Sequence, residues 1–175
     1  FVMPAGSVTY DLDLTPLADL IVEGDETVTV TITTVSGTPA IAVDATPATI
    51  TITDDDLPEI LYSPASVTMS EGASASIEVW LSAPPAGSVS VDISTAMTGI
   101  INVTPATLTF TTADYATHQL ITIQSVENEV MGDQNDNVII SVNDALSDDP
   151  FDPLPDITIP VTITNNDIAS IVVTP

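Results

Sequence analysis

Hydrophobic and polar residues alternate with a period of two along most of the chain. Ile77-Glu78-Val79, Leu108-Thr109-Phe110 and Ile121-Thr122-Ile123 each place a polar side chain between two apolar ones. Such alternation is typical of β-strands that have one face on a core and the other in water. No stretch of a dozen residues has helical spacing, and turn sequences such as Pro84-Pro85-Ala86-Gly87 recur at short intervals. The pattern therefore predicts an all-β protein built from antiparallel sandwiches.

An internal repeat divides the chain into units. Residues 53–60 match residues 164–171, and residues 22–26 match residues 130–134. The repeat of about 110 residues has the size of an Ig-like sandwich. We therefore expect tandem Ig-like units of seven strands each, seen through a window cut from a longer array. The predicted domains are the C-terminal half of one unit at 1–56, a complete unit at 57–167 and the first strand of a following unit at 168–175.

Seven strands are predicted for the complete unit. They are strands A at 60–69, B at 74–82, C at 88–95, D at 106–111, E at 118–124, F at 136–143 and G at 157–164. Successive strands of an antiparallel sandwich run in opposite directions. The A–B, C–D and E–F connections and the end of strand G should therefore meet at one end, which we call the far end. The B–C, D–E and F–G connections should meet at the opposite, near end.

The charge balance is one-sided. The chain has 25 Asp plus Glu, no Lys or Arg and one His, which gives a formal charge of −25. This composition excludes nucleic acid as a direct partner, because phosphate binding depends on Lys and Arg. Hydrophobic residues make up 44% of the chain, too many for a disordered acidic tail. No run of about 18 apolar residues is present, so no direct membrane insertion is expected. A folded chain of this kind needs cations from outside to neutralise its acids.

Acidic and amide residues concentrate at the far end of each unit. In the first unit they are Asp19, Glu23, Asp25, Glu26, Asp54, Asp55 and Asp56. In the second unit they are Glu71, Glu127, Asp133, Asn165, Asn166 and Asp167. Two carboxylates about 5 Å apart repel by roughly 0.8 kcal/mol in water and about 3 kcal/mol at an effective dielectric constant of 20. Oxygen donors without nitrogen or sulfur favour Ca²⁺, so the clusters predict Ca²⁺ sites. Solvated acids on loops are the alternative interpretation.

A further group of acids lies on the F–G connection at the near end. Its members are Asp144, Asp148, Asp149, Asp152 and Asp156. They should face the acids at 54–56 of the preceding unit. A cation across this junction would restrain hinge motion, whereas a simple solvated loop would keep the units apart.

The acidic motifs carry a resemblance to a known family. Asp19, followed by Glu23-Gly24-Asp25-Glu26 and then by Thr51-Ile52-Thr53-Asp54-Asp55-Asp56, resembles the second half of a Calx-beta domain. Residues 104–115 resemble the Calx-beta-like repeats of very large bacterial surface proteins, including repeat-rich adhesins. The resemblance implies an Ig-like sandwich that binds Ca²⁺ at one end, in arrays stiffened by Ca²⁺ at the junctions.

The resemblance also assigns ligand positions. It places all seven first-unit acids on the family's ligand positions and keeps Glu71, Glu127, Asp133 and Asp167 in the second unit. The second unit departs from the family at Met131, Gln134, Asn165 and Asn166, and its C–D connection has Ala96 and Met97 where the family has an acid. Since fewer charges surround the ion, the second site is expected to bind more weakly.

The sequence shows no set of residues that favours a catalytic site. His118 is its only His, and aromatic residues make up 4% of it, so we expect no enzyme activity. The favoured function is a Ca²⁺-binding rigid spacer in a secreted extracellular adhesin or bacterial cell-surface array. Its partners would be neighbouring repeats of the same or an adjacent chain, together with a cell-surface or matrix partner. The alternatives are a segment of an extracellular filament assembled by strand complementation, and a terminal ligand-binding module.

Overall fold

The computed structural model describes residues 11–34 and 45–169. The strands are β1 (Glu26–Val30), β2 (Ala48–Ile52), β3 (Ile60–Ser63), β4 (Val67–Ser70), β5 (Ser74–Leu81), β6 (Ser88–Thr95), β7 (Ile101–Thr104), β8 (Thr107–Thr111), β9 (Gln119–Ser125), β10 (Gln134–Val142) and β11 (Ile157–Thr164). Two short 3₁₀ helices, Asp144–Leu146 and Asp149–Phe151, lie between β10 and β11.

Contacts divide the chain into two units. The smaller comprises Phe1–Asp19 and Thr27–Ile52, and the larger comprises Leu20–Glu26 and Thr53–Pro175. In the smaller unit, β1 and β2 form a two-stranded sheet. The predicted domain boundaries stay a prediction, and residues 170–175 of the expected following strand lie outside the described residues.

The larger unit is a sandwich of two sheets. One has the strand order β4-β11-β10-β6-β8, and the other has the order β3-β5-β9-β7. Every neighbouring pair is antiparallel except β4 and β11, which run parallel. The prediction of an all-β, Ig-like sandwich is confirmed.

The period-two alternation builds the core between the sheets. Ile77 on β5 and Ile121 on β9 are register partners, and both are fully buried. Val138 of β10 and Phe110 of β8 are buried on the inner face of the opposite sheet. The polar residues between these positions face solvent, as a half-buried strand requires.

The strand count of the complete unit is nine among the described residues, not seven. The predicted strand A is two strands, because Pro64 has no N–H to continue a ladder. β3 before it pairs with β5, and β4 after it pairs with β11 in the other sheet. The predicted C–D connection contains β7, a four-residue strand whose single alternation is too short to stand out in the sequence.

The connections meet at the two ends as the strand parity predicts. At the far end, Glu71 N–H donates to the Thr164 carbonyl over 3.1 Å, and Val126 N–H donates to the Ile100 carbonyl over 2.9 Å. These bonds join the β4–β5 turn to the end of β11, and the β9–β10 connection to the β6–β7 connection. The Ser125 N–H donates to the Ala73 carbonyl over 3.0 Å and links these two pairs of segments into one far-end rim.

Candidate metal centre

Three carboxylates converge on the far-end rim. Glu71 follows β4, Glu127 follows β9 and Asp167 follows β11, and each offers an oxygen within 4.8 Å of the other two. Glu71 is only 6% exposed, and neither of its carboxylate oxygens has a hydrogen-bond partner in the structure. Asp167 Oδ2 is likewise buried and without a partner. A buried charge without a counter-charge costs several kcal/mol, so a cation bound between the three carboxylates would stabilise this arrangement.

The β4–β5 turn that carries Glu71 is held rigidly. The Ser125 hydroxyl donates to the Ser70 and Ala73 carbonyls over 3.0 and 3.1 Å. Gly72 has a φ of +73°, and a Cβ at this position would lie 2.5 Å from Glu127 Oε2. Glycine therefore allows both the left-handed turn and the close approach of the Glu127 carboxylate.

The other three predicted residues of the second unit lie beside the three carboxylates and shape the loops. Asn165 N–H donates to Asp133 Oδ1 over 2.9 Å, and Asp167 N–H donates to Asn165 Oδ1 over 3.0 Å. The Asn166 side-chain amide donates to the Glu71 carbonyl over a long 3.5 Å. Asp133 and Asn165 thus fix the backbone that presents Asp167.

The first acidic motif forms a second group of carboxylates. Asp54, Asp55 and Asp56 each offer an oxygen within 4.8 Å of the other two. Asp54 Oδ2 accepts hydrogen bonds from the N–H groups of Gly24, over 2.8 Å, and Glu23, over 2.9 Å. Asp54 Oδ1 accepts one from the Asp56 N–H. All three hydrogen bonds lower the pKa of Asp54, and the bond from the Gly24 N–H has the largest effect.

The remaining predicted ligands of the first motif are not part of that group of three. Asp25 Oδ1 accepts a hydrogen bond from the Asp54 N–H over 3.3 Å. The Glu23 backbone N–H donates to Asp54 Oδ2. Glu26 is exposed at the start of β1, and Asp19 is exposed in the smaller unit.

The two motifs share one hydrogen-bond arrangement, which we call the clasp. Its first bond joins Asp54 N–H to Asp25 Oδ1 in one motif and Asn165 N–H to Asp133 Oδ1 in the other. Its second bond joins Asp56 N–H to Asp54 Oδ1, and Asp167 N–H to Asn165 Oδ1. An Asn therefore replaces Asp54 at the repeat-related position while the clasp is retained.

One buried acid at the far end was missed by the sequence interpretation. Asp136 on β10 is 2% exposed, and its Oδ1 accepts hydrogen bonds from Met97 N–H over 2.9 Å and Asn137 N–H over 2.7 Å. Its Oδ2 is buried without a partner. The sequence signal was an acid at an inward position of a strand, in step with Val138 and Ile140. Asp136 reaches the β6–β7 connection, where the resemblance leads one to expect an acid.

The near-end acids are only partly brought together. Asp148 Oδ2 accepts a hydrogen bond from the Gly87 N–H over 2.6 Å. Partial burial, together with the charges of Asp144, Asp149 and Asp148, raises the pKa of Asp152, whose Oδ1 has no partner.

His118 lies on the outer face of the four-stranded sheet. Its ring stacks on Trp80 at a centroid distance of 3.9 Å, and its Nδ1 is 2.9 Å from Glu78 Oε2. Trp80 is therefore half-buried against His118.

A scan against family models and a search of the curated proteins each found no match. Among solved structures, the chain is similar to WR4, a member of the MSP family of C. elegans, at 11% identity and a TM-score of 0.45, over 60% of this chain and 97% of that one. It is similar to domains 1–6 of the surface layer protein SbsC at 14% identity and a TM-score of 0.43, over 70% of this chain and 15% of that one.

A Bacteroides ovatus GH5 xyloglucanase is similar at 15% identity and a TM-score of 0.43, over 65% of this chain. The match spans 20% of the length of that enzyme.

The helices within residues 11–34 and 45–169 are both too short to span a bilayer.

Proposed function

We propose that the chain is a non-catalytic, Ca²⁺-binding structural repeat that acts as a rigid spacer in an extracellular adhesin or cell-surface array. The observation that carries the proposal is the Glu71 carboxylate, which is buried at the far-end rim without a hydrogen-bond partner and faces Glu127 and Asp167. A chain without Lys or Arg can supply no side-chain counter-charge of its own except through His118. His118 is engaged with Glu78 on the outer face of a sheet.

The donor set favours Ca²⁺ among the common metal ions. All three side chains offer carboxylate oxygens, which suit hard cations, and no Cys is present to recruit a soft one. Ca²⁺ accepts six to eight oxygens in variable geometry, so backbone carbonyls and water can complete its shell. Mg²⁺ requires a near-octahedral set at shorter distances and is the weaker candidate.

A cation at this rim would have a mechanical effect. It would join the β4–β5 turn, the β9–β10 connection and the end of β11, each of which supplies one of the three carboxylates. A cation at the Asp54–Asp56 group would instead hold the single segment that follows β2. Stiffening at repeated positions is what an elongated spacer needs, and the resemblance to Calx-beta-like repeats supports this role. Extracellular modules bind Ca²⁺ with dissociation constants of about 10⁻⁴–10⁻³ M, which fits a secreted location.

Thermal unfolding tests the proposal. Ligand that binds only the folded state stabilises it by about 1.4 kcal/mol per site when its free concentration is about ten times Kd. The melting temperature should therefore rise in millimolar Ca²⁺ relative to chelator, and rise less in equal Mg²⁺. Identical melting in Ca²⁺ and in chelator would contradict the proposal.

A further inference from the structure

We propose that the surface formed by Val130, Met131 and Gly132, here called the far-end surface, docks the near end of a following sandwich unit. The inference deepens the proposed function and rests on its tandem array, but it does not require Ca²⁺. The observation behind it is a contact within this chain, made by the repeat-related segment.

Val22 shows how such a segment docks. It is 1% exposed, and its N–H donates to the Pro84 carbonyl over 3.0 Å. Val22 also pairs with Pro85 in an isolated parallel bridge. A Cβ on Gly24 would lie 3.7 Å from Pro150 Cγ. The segment before the first clasp therefore packs on the near end of the complete sandwich, against the β5–β6 and β10–β11 connections.

Val130 is the repeat-related counterpart of Val22. Both are followed two residues later by a glycine of positive φ, +78° at Gly24 and +99° at Gly132. Both precede a clasp Asp, Asp25 or Asp133, that accepts the corresponding backbone hydrogen bond. The backbone that presents Val22 to the near end is thus built a second time at the far end.

The far-end surface is exposed to solvent in this chain. Val130 is 57% exposed and Met131 is 56% exposed, and a Cβ on Gly132 would meet no atom within 4 Å. Met131 stands where the first motif has Glu23, which makes the far-end surface less charged. A contact between two acidic units is best made through apolar side chains and backbone groups, because carboxylates on both sides repel.

The hydrogen-bonding state of Val130 fits an undocked surface. Its N–H donates to Asn128 Oδ1 over 2.7 Å, whereas the Val22 N–H donates to a backbone carbonyl of the docked sandwich. Docking would exchange the Asn128 acceptor for such a carbonyl, so the N–H would not be buried without a partner.

The occupant is the next unit of the same kind in tandem. The near end of the sandwich in this chain is already covered by Val22, so a second separate copy could use it only by displacing that segment. The occupant must present the apolar turn of Pro84 and Pro85, both of which are buried here.

Disulfide trapping in an extended chain tests the inference. The full chain is continued after Asp167 with a second copy of residues 57–175, in register with the repeat. Val130→Cys is combined with Pro85→Cys in the appended copy, and Val22→Cys with Pro85→Cys of the original copy is the positive control. Leu120→Cys, on the exposed face of β9, replaces Val130→Cys in the negative control. No other thiol is present, because the chain has no Cys.

We expect the Val130 pair to oxidise roughly tenfold or more faster than the Leu120 pair, because docking raises the effective concentration of the thiols. Equal rates for the two pairs, in Ca²⁺ and in chelator, would overturn the inference. Rapid trapping in a chain that binds no Ca²⁺ would support docking while rejecting the proposed function. Ca²⁺ binding without faster trapping would reject docking alone.

Hydrogen exchange gives a second measurement without cysteine substitutions. In the extended chain, the Val130 amide should exchange more slowly than in the original chain, because it is covered by the appended unit. Unchanged exchange at Val130 would overturn the inference even if the cysteine variants fail to fold.

Discussion

Glu127 Oε2 lies 2.5 Å from the position that a Cβ on Gly72 would occupy. The absence of a side chain at Gly72 therefore leaves room for the Glu127 carboxylate, which offers an oxygen within 4.8 Å of the buried Glu71. Gly99 provides a matched comparison, because its φ is +84° and a Cβ there would meet no atom within 4 Å.

Substituting Gly72 should separate stability from metal binding. Gly72→Ala and Gly99→Ala should each lower the free energy of unfolding in chelator by about 1–2 kcal/mol, the cost of a left-handed backbone for alanine. Only Gly72→Ala should weaken Ca²⁺ binding, since the flexible Glu127 side chain must move away. Chemical unfolding and calorimetric titration of both variants check this. Equal Ca²⁺ affinities would show that Glu127 does not hold the ion.

Val22 and Val130 form a matched pair for packing. Val22→Ala should lower the free energy of unfolding by about 1–3 kcal/mol, because it removes two buried methyl groups and leaves a cavity. Val130→Ala should change it by less than about 0.5 kcal/mol, because Val130 is exposed in this chain. Urea unfolding measures both changes. A small loss for Val22→Ala would contradict the docked position of this segment.

The lowered pKa of Asp54 predicts an acid-dependent loss of stability. A carboxyl whose pKa is lower in the folded state contributes stability at pH values above its ordinary pKa, near 3.9, and loses it as the pH falls through the lowered value. Asp54→Asn should therefore flatten the dependence of unfolding free energy on pH below about pH 4. Asp55→Asn removes the same charge one residue away and serves as the control. The check is urea unfolding in chelator from pH 2 to pH 7, and equal slopes in the two variants would contradict the prediction.

The raised pKa of Asp152 predicts the opposite dependence of stability on pH. Because its pKa is raised in the folded state, its ionised form opposes folding above that pKa, and the penalty disappears as the pH falls below the ordinary value. Asp152→Asn should raise the melting temperature at pH 7 in chelator and leave it nearly unchanged at pH 3. Asp156→Asn, in the same connection, is the control, since it removes an equal charge that is not one of the main causes of the Asp152 shift. A gain at pH 3 as large as at pH 7 would contradict this account.

The strands that could be predicted from the sequence are those with a long, regular alternation. Strands C and G coincide with β6 and β11, because β-branched residues alternate with polar ones through each of them. Strand A could not be resolved by alternation alone, since Val67 and Met69 are buried in one sheet and Ile60 in the other. Sheet membership there depends on long-range pairing with β5 and β11.

The candidate site could also be predicted only in part from the sequence. Strand parity was sufficient to place Glu71, Glu127 and Asp167 at one end, because the direction of successive strands fixes where their connections lie. It could not show that Glu71 is the buried member of the group, which depends on how the turn at Gly72 folds over the core edge. Asp136 was not identified because an acid at an inward strand position only weakens an alternation pattern. Binding of Ca²⁺ by any of these residues stays a prediction.

We expect the buried Glu71 carboxylate to bind Ca²⁺, and calorimetric titration of Ca²⁺ into the chain and into Glu71→Gln tests this claim most directly. The matched control is Glu78→Gln, which removes one charge from a side chain that is 48% exposed on the outer sheet face. We expect Ca²⁺ binding to the chain and to Glu78→Gln, with a binding step weakened by about tenfold or more in Glu71→Gln, equivalent to about 1.4 kcal/mol. In chelator, Glu71→Gln should be at least as stable as the parent chain, because it removes an uncompensated buried charge. The same Ca²⁺ affinity in Glu71→Gln as in the parent chain, or no binding by the parent chain, would contradict the claim.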